Sequence, residues 1–452
     1  MKIPLSPRPL AELMSEMFDP KELTPDKASE ILSQGPLAKG KYRHWDKVRH
    51  LEPPADLTVE EWWLGLKFAR TKLYKQLPFI DKEGRPFVFG TPDPIERDLH
   101  HIAQQASGRI LAMDQITNPN TRDRYLISSL IDEAVTSSQL EGAATTTEVA
   151  KNMLRTGRAP RDRSEQMIIN NYHAMQRIRR YQDQPLTVDL ILELHRMVTQ
   201  DTLDDPTKAG RLREHKDDIV ISDAMTGEVY HRPPPAAELL DRLARLCDFA
   251  NDEGGETFYH PVIRAVVVHF CIGYDHPFVD GNGRTARALF YWSMLRRGYW
   301  LMQYLSISRI LKKAPSQYAL AYLYAETDDN DLTYFIDHQL KVLVRSIASL
   351  HEYLNRKMEE IRTIEGLLKE AAHLNHRQLA LLSHALRHPD AWYTFESHKR
   401  SHGIVYQTAR TDLLELAELG LLNTARRGRV YQFSAPSDLS KRLQSHPAGP
   451  GS

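Results

Sequence analysis

Along most of the chain apolar residues recur every three or four positions, the period of a helix with one buried face, so the predicted fold is mainly α. The signal runs with short interruptions from Pro94 to about Leu350 and includes two apolar helical runs, Val262 to Tyr274 and Thr285 to Arg297. Between Gly210 and Arg232 the pattern changes to short alternating segments. Ile219-Val220-Ile221-Ser222 and Val229-Tyr230-His231-Arg232 flank Met225-Thr226-Gly227-Glu228, which predicts a β-hairpin.

Residues 1–95 read as an accessory region packed on the central domain, without a sign of catalysis. Thr58-Val59-Glu60-Glu61 has the form of a capping box and opens a helix with Trp62, Trp63, Leu66 and Phe68 on its apolar face. Leu77 to Ile80 and Pro86 to Phe89 then bracket Asp81-Lys82-Glu83-Gly84 as a second hairpin. Residues 96–345 form the predicted central domain and 346–372 a helical linker. A further unit spans 373–436: one helix on Leu379, Leu381, Leu382 and Leu386, a second from Thr394-Phe395, a third from Tyr406 to Leu419, and two strands around Arg426-Arg427-Gly428. The tail, 437–452, is expected to be disordered.

Length suggests two to four domains. The 59 basic and 59 acidic side chains cancel, so no global field favours nucleic acid or anionic membrane, and any basic patch is local. One such tract, Arg155 to Arg163, reads as a solvated connector rather than an anion site. The two cysteines, Cys247 and Cys271, lie in apolar helical runs and read as buried thiols of a reducing compartment. The start of the chain lacks the apolar core of a signal peptide and no run reaches membrane-spanning length, so a cytoplasmic location is expected.

The chemistry concentrates between the two apolar runs, in His276-Pro277-Phe278-Val279-Asp280-Gly281-Asn282-Gly283-Arg284-Thr285-Ala286-Arg287. Gly281, Asn282 and Gly283 are placed to open the second helix, where unpaired amides face an incoming anion and glycines permit close approach. Arg284 and Arg287 lie one turn apart and suit phosphate oxygens. Asp280 is a suitable ligand for Mg²⁺ held mainly by substrate phosphates, and His276 has the pKa of a base that works near neutrality.

This stretch resembles the motif of the Fic (filamentation induced by cAMP) family, His-Pro-Phe-x-Asp/Glu-Gly-Asn-Gly-Arg-x-x-Arg, at every fixed position. The resemblance also takes in His260 to Ala265 and Pro315 to Tyr318 with Tyr322, and covers about residues 125–345. It implies a Fic-type helical core and transfer of AMP from ATP to a Ser, Thr or Tyr hydroxyl of a protein. On that analogy His276 takes the hydroxyl proton, Asp280 holds Mg²⁺, Gly281, Asn282 and Gly283 form the anion hole, Arg284 holds phosphates and Arg287 orients the γ-phosphate. Ile219, Val220, Ile221 and Ser222 would belong to the flap that receives a target segment as an added strand.

Upstream, Ser137-Ser138-Gln139-Leu140-Glu141-Gly142 ends a helical run through Leu126, Leu130, Ile131 and Ala134. It is similar to the Fic inhibitory motif, Ser/Thr-x-x-x-Glu-Gly/Asn, which implies that Ser137, Glu141 and Gly142 form an inhibitory element whose Glu141 pairs with Arg287. The plain alternative is a helix end capped by Gly142. Residues 373–436 resemble a winged helix-turn-helix, with Tyr406, Gln407, Thr408 and Arg410 on the third helix and Arg426, Arg427 and Arg429 on the wing as DNA-binding candidates. Asp412, Glu415 and Glu418 on the same helix argue against DNA and for a protein contact. Expected partners are therefore ATP, a target protein and the chain itself, with DNA as a further candidate; no membrane partner is expected and a homodimer is left open. Three alternatives to AMP transfer also stay open: another phosphate-containing group, removal of AMP from a modified protein, and a DNA-binding regulator that modifies itself.

Overall fold

Two helices, Pro261–Asp275 and Asn282–Arg296, form an antiparallel pair at the centre of the first of two compact units, Met1–Leu350. Nearly every side chain on both is buried, including Phe270, Phe290, Tyr291 and Trp292, as expected for helices apolar on more than one face. Helices Arg163–Tyr181 and Val188–Thr199 pack on the second member of the pair, and Leu239–Asn251 packs on the first. Helix Pro119–Leu140 lies against Arg163–Tyr181 and Ile307–Leu311. The structure, a computed structural model, describes residues 2–17, 24–54, 56–107, 119–223, 226–252, 257–370, 374–427 and 430–445, without the side chains of 119–125 and a few later positions.

The accessory region belongs to this same unit. Thr58 and Glu61 form the expected capping box of helix Val59–Thr71, whose Trp62, Trp63, Leu64 and Leu66 are buried in a local cluster with Ile31 and Val48. Strands β1 (Lys75–Ile80) and β2 (Pro86–Phe89) make the expected hairpin. Val88 then exchanges two backbone bonds with Asn330 and Leu332 in the turn after helix Pro315–Thr327. Beside it Lys67 donates to Asp328 at 2.7 Å, Tyr334 donates to the other Asp328 oxygen at 2.7 Å, and Arg70 donates to the Tyr334 hydroxyl at 2.8 Å. Lys67, Arg70 and Asp328 are each at most 2% exposed. A buried charge is tolerated only when paired and hydrogen-bonded, so this cluster fixes the accessory region to the turn that follows Pro315–Thr327.

The hairpin at 219–232 is present but shorter than expected. Its strands are β3 (Ile221–Ser222) and β4 (Val229–His231), with Ile221 opposite His231 and a bulge before the Ser222–Val229 pair. Ile219 and Val220 precede the ladder, and Met225 lies outside the described residues.

The second unit, His351–Ser452, begins within helix Thr333–Glu370, which takes in residues 346–370 of the expected linker. Helices His376–Arg387, Phe395–His402 and Tyr406–Glu418 enclose Leu381, Leu382, Phe395, Leu413, Leu416 and Phe433. The expected pair of strands is a sheet of three: β5 (Trp392–Tyr393), β6 (Asn423–Arg427) and β7 (Val430–Ser434), in the order β5-β7-β6. A two-residue strand such as β5 is too short to show an alternating pattern. The tail also departs from expectation. Leu439–Ser445 is a helix because Leu439 and Leu443 complete the core of the unit, whereas 446–452 lie outside the described residues.

Both cysteines are free and buried, and among the described residues no helix is long and apolar enough to cross a membrane. Asp328→Ala leaves the buried Lys67 ammonium with only the exposed Asp329, 3.2 Å away, and takes the acceptor from Tyr334, so it is expected to cost about 3 kcal/mol. Chemical denaturation of the full chain checks this; a loss under about 1 kcal/mol would show that Lys67 finds another partner or water.

Candidate active site

The loop between the two central helices is held from beneath by side chains remote in sequence. Asn282, 3% exposed, accepts from the Phe278 amide at 3.0 Å and donates to the Phe278 carbonyl at 2.8 Å. His195 accepts from the Gly210 amide at Nδ1, so its proton sits on Nε2 and is donated to the Asp280 carbonyl at 2.9 Å. Its ring stacks on Phe278 with centroids 3.7 Å apart, and burial pushes its pKa down to about 4, keeping it neutral. Gly281 has φ +81°, and a Cβ there would meet the Thr199 methyl at 2.6 Å, so both conformation and space require glycine.

His276 sits at the end of the first helix with φ +43°, a left-handed conformation uncommon outside glycine. Its Nδ1 lies 2.7 Å from the Gly273 carbonyl. A carbonyl only accepts, so the proton is on Nδ1 and Nε2 carries the free lone pair. Burial lowers the His276 pKa, against an opposing contribution from that hydrogen bond, and favours the neutral ring.

Glu141 reaches the same place from the end of helix Pro119–Leu140. Arg287, 2% exposed, donates Nη2 to Glu141 Oε1 at 2.8 Å and to the Ser137 carbonyl at 3.0 Å, and Nε to Ser137 Oγ at 2.8 Å. Burial raises the Glu141 carboxyl, but Arg287, Arg284 and His276 outweigh it and hold it below the usual carboxylate range. The carboxylate also lies against Gly283: a Cβ there would come within 2.1 Å of Glu141 Oε1. An acidic group thus occupies the anion-attracting first turn of the second helix. Arg287 Nη1 is buried without a hydrogen-bond partner among the described residues.

His276, Asp280, Gly281, Asn282, Gly283, Arg287 and Glu141 all line one cavity of about 390 Å³, with Ile219, Val220 and Ile221 of the hairpin on its opposite wall. Ser222 is exposed and outside the lining, while Gly142 caps the helix end with φ +92°. The other arginine of the loop is Arg284. It is fully buried, donates Nη1 to the Val198 carbonyl at 2.7 Å, lies 3.5 Å from Asp280 Oδ1 and takes no part in the cavity wall. Buried among apolar helices, the guanidinium takes the acceptors at hand.

Asp280 is 41% exposed at its side chain; Oδ1 accepts from the Gly281 amide, and Oδ2 lies 3.7 Å from Arg163. Among the described residues no three acidic, histidine or cysteine side chains converge as a metal cage. One half-exposed carboxylate fits Mg²⁺ that takes its remaining ligands from substrate phosphates and water. Sequence reasoning gave no role to Tyr230, His231, Tyr274, Tyr318, Tyr322 and Glu326, which complete the walls, nor to His195 and Arg213. His195 left one trace, a histidine on the buried face of an otherwise apolar helix.

Elsewhere, two of the four arginines of the basic connector are paired with acids, Arg158 bidentately with Glu165 and Arg163 with Asp204. In the C-terminal unit Tyr406, Gln407, Arg410 and Arg426 are exposed and Thr408 is half-buried; Arg429 and the side chain of Arg427 lie outside the described residues. Asp412 is buried and accepts from Arg377, His398 and Asn375, and Glu415 accepts from Gln378. Two of the three acids set against DNA binding are therefore engaged within the unit.

Residues 185–294, from before the His195 helix to near the end of the second central helix, match the sequence model of the Fic/DOC family. The chain carries a Fic/DOC domain. It is 36% identical over 117 residues to the protein adenylyltransferase fic-1 of Caenorhabditis elegans, covering 25% of this chain and 20% of that protein. The protein adenylyltransferase Fic of Drosophila melanogaster is similar at 36% identity, covering 25% of this chain and 21% of its own. The match thus spans about a fifth of these relatives. A Fic family protein from Desulfovibrio desulfuricans G20 shares the fold, with a TM-score of 0.52 and 18% identity over 76% of this chain and 95% of that one.

The geometry separates holding from handling. Asn282→Ala leaves two buried backbone groups of Phe278 unpaired and is expected to cost about 2 kcal/mol or more, while Asp280→Asn keeps an acceptor for the Gly281 amide but removes the charge beside the buried Arg284, and is expected to cost about 1 kcal/mol. Denaturant titration of both variants checks the contrast, and equal losses would contradict it.

Proposed function

We propose that this chain is a protein adenylyltransferase that moves AMP from ATP to a hydroxyl of a protein and is held back by Glu141. The observation that carries it is that His276, with only Nε2 free, shares one cavity with the first-turn amides of the second helix and with Arg287. Residues 185–294, which hold His276 to Arg287, match the Fic/DOC family model, and relatives named protein adenylyltransferases are similar over 117 residues of the chain.

His276 Nε2 takes the proton from the target hydroxyl. Its oxygen bonds to the α-phosphorus, the bond from that phosphorus to the bridging oxygen breaks, and pyrophosphate leaves with the electron pair. The amides around Gly281 to Gly283 stabilise charge on the phosphates, and Arg287 orients the γ-phosphate. Mg²⁺ held by Asp280 would supply charge neutralisation between the phosphates. Arg284 supports Asp280 from below rather than holding phosphate. The exposed edge of the β3–β4 hairpin offers backbone groups to an extended target segment.

The carboxylate of Glu141 stands where a phosphate oxygen would sit, against Gly283 and on Arg287. With it in place the γ-phosphate is displaced and the α-phosphorus falls out of line with the attacking hydroxyl. Misplacement of about 1 Å costs on the order of 10² in rate, so inhibition needs no loss of ATP affinity. With α-labelled ATP and Mg²⁺, Glu141→Gly is expected to raise automodification at least about 10-fold, and His276→Ala to lower it by about 10² to 10⁴. Equal labelling by wild type and Glu141→Gly would reduce Ser137 to Gly142 to a helix end. Release of AMP from a labelled protein without net transfer would favour the reverse, hydrolytic direction.

For the C-terminal unit we infer a winged helix that binds duplex DNA, supported by the exposed Tyr406, Gln407, Arg410 and Arg426 and by the internal pairing of Asp412 and Glu415. Binding of the full chain to duplex DNA is expected to weaken steeply with salt, and further with Arg410→Ala. No binding at low salt would favour a protein contact instead.

A further inference from the structure

The loop that carries His276 begins where a helix ends, and the last carbonyls of a helix have no partner within it. Here each has one. The Ile272 carbonyl accepts from the His276 amide and the Gly273 carbonyl from His276 Nδ1. The Tyr274 carbonyl accepts from His231 Nε2 at 2.7 Å. The next three, on Asp275, His276 and Pro277, are taken by one residue: Arg213 donates Nη2 to Asp275 at 3.2 Å, Nε to His276 at 2.8 Å and its own backbone amide to Pro277 at 2.9 Å. Nη2 of the same side chain also donates to the Pro234 carbonyl at 2.5 Å. Arg213 is 8% exposed.

The donors to residues 274–277 flank the hairpin in sequence: Arg213 lies ahead of β3, across the short 3-10 turn His215–Asp217, and His231 ends β4, with the Pro234 carbonyl that accepts from Arg213 just beyond it. A cation at a helix C-terminus is also favoured by the dipole. His276 itself needs such support, because a non-glycine residue at φ +43° persists only where its surroundings over-determine it. We propose that Arg213 is a positioning residue for His276: from the root of the hairpin it clamps the backbone of residues 275–277, so that the His276 ring keeps one tautomer and one orientation and the hairpin and the base move as one body. A target segment added to the hairpin edge then meets a base already set at the matching distance.

A planar guanidinium offers several donors in a fixed fork, whereas a lysine ammonium cannot span the Asp275, His276 and Pro234 carbonyls together. The role of His276 as base comes from the proposed function, but its tautomer can be read without any reaction. In full-length protein labelled with ¹⁵N-histidine, the ring signals of His276 are identified by their loss in His276→Ala. Wild type is expected to show the Nδ1–H form alone, and Arg213→Gln and Arg213→Lys a mixture of both tautomers. In the Glu141→Gly background each variant is expected to lower kcat for AMP transfer about 10²-fold with KM for ATP within about twofold.

A single tautomer in both variants, or a rise in KM with kcat unchanged, would overturn the assignment. Unfolding of Arg213→Gln leaves the decision to Arg213→Lys. Unfolding of both would make Arg213 a structural residue and would also overturn it. If Glu141→Gly transfers no AMP the proposed function falls, and the tautomer comparison alone then decides the role of Arg213.

Discussion

A guanidinium at 2% exposure must be satisfied by something, and the centre of this molecule is arranged around that requirement at Arg287. Ser137 takes two of its hydrogen bonds and Glu141 a third, which ties the end of helix Pro119–Leu140 to the first turn of Asn282–Arg296. Breaking the contact at Glu141 alone leaves both serine bonds in place. The arginine thus remains oriented while its anion changes. In the proposed function a phosphate would bring a further acceptor to Nη1, which is buried beside the Tyr318 hydroxyl without a close hydrogen bond among the described residues. A phosphate group has three such oxygens and a carboxylate two.

The catalytic loop is the complementary case, where backbone rather than side chain had to be satisfied. Carbonyls from Ile272 to Phe278 each find a donor, and those donors come from the loop itself, the hairpin roots and Asn282. His195 secures the Asp280 carbonyl beyond them. Phosphate-binding amides are useful only if the groups around them do not relax, and pre-set donors are what make charge stabilisation effective in a closed site. In the proposed function these donors would hold the loop in place for its chemistry.

Much of this was legible in the sequence, for a physical reason. The residues from His276 to Arg287 are contiguous, so their chemistry and spacing are visible together, and the two helices that flank them announce themselves by apolar period. Thr58 and Glu61 are local in the same way. What escaped were contacts between distant residues. Arg213 and His195 lie 63 and 85 residues from their partners His276 and Asp280; nothing local marks Arg213, and His195 shows only as a histidine on a buried helical face. Lys67 and Arg70 read as polar positions on an amphipathic helix until Asp328 and Tyr334 are brought against them from 261 and 264 residues away. The full burial of Arg284 was not legible either, because helical spacing gives the side a residue faces but not how deep it lies.

The acidic residues of the third C-terminal helix show the same limit from the opposite direction. Counted along the sequence, Asp412, Glu415 and Glu418 make a negative helix poorly suited to a phosphate backbone. In three dimensions Asp412 is the hub of the unit, with Arg377 and His398 on one oxygen and Arg377 and Asn375 on the other. Burial raises that carboxyl, but the Arg377 hydrogen bond and the other donors outweigh it and bring it down to about 2. Its charge is spent on the contact between helices, and Glu415 is engaged with Gln378 on the same side. The first turn of the helix, with Tyr406, Gln407 and Arg410 exposed, carries no acid, while Glu415 and Glu418 stay exposed towards its other end, so the charge of the helix is divided along its length rather than spread evenly.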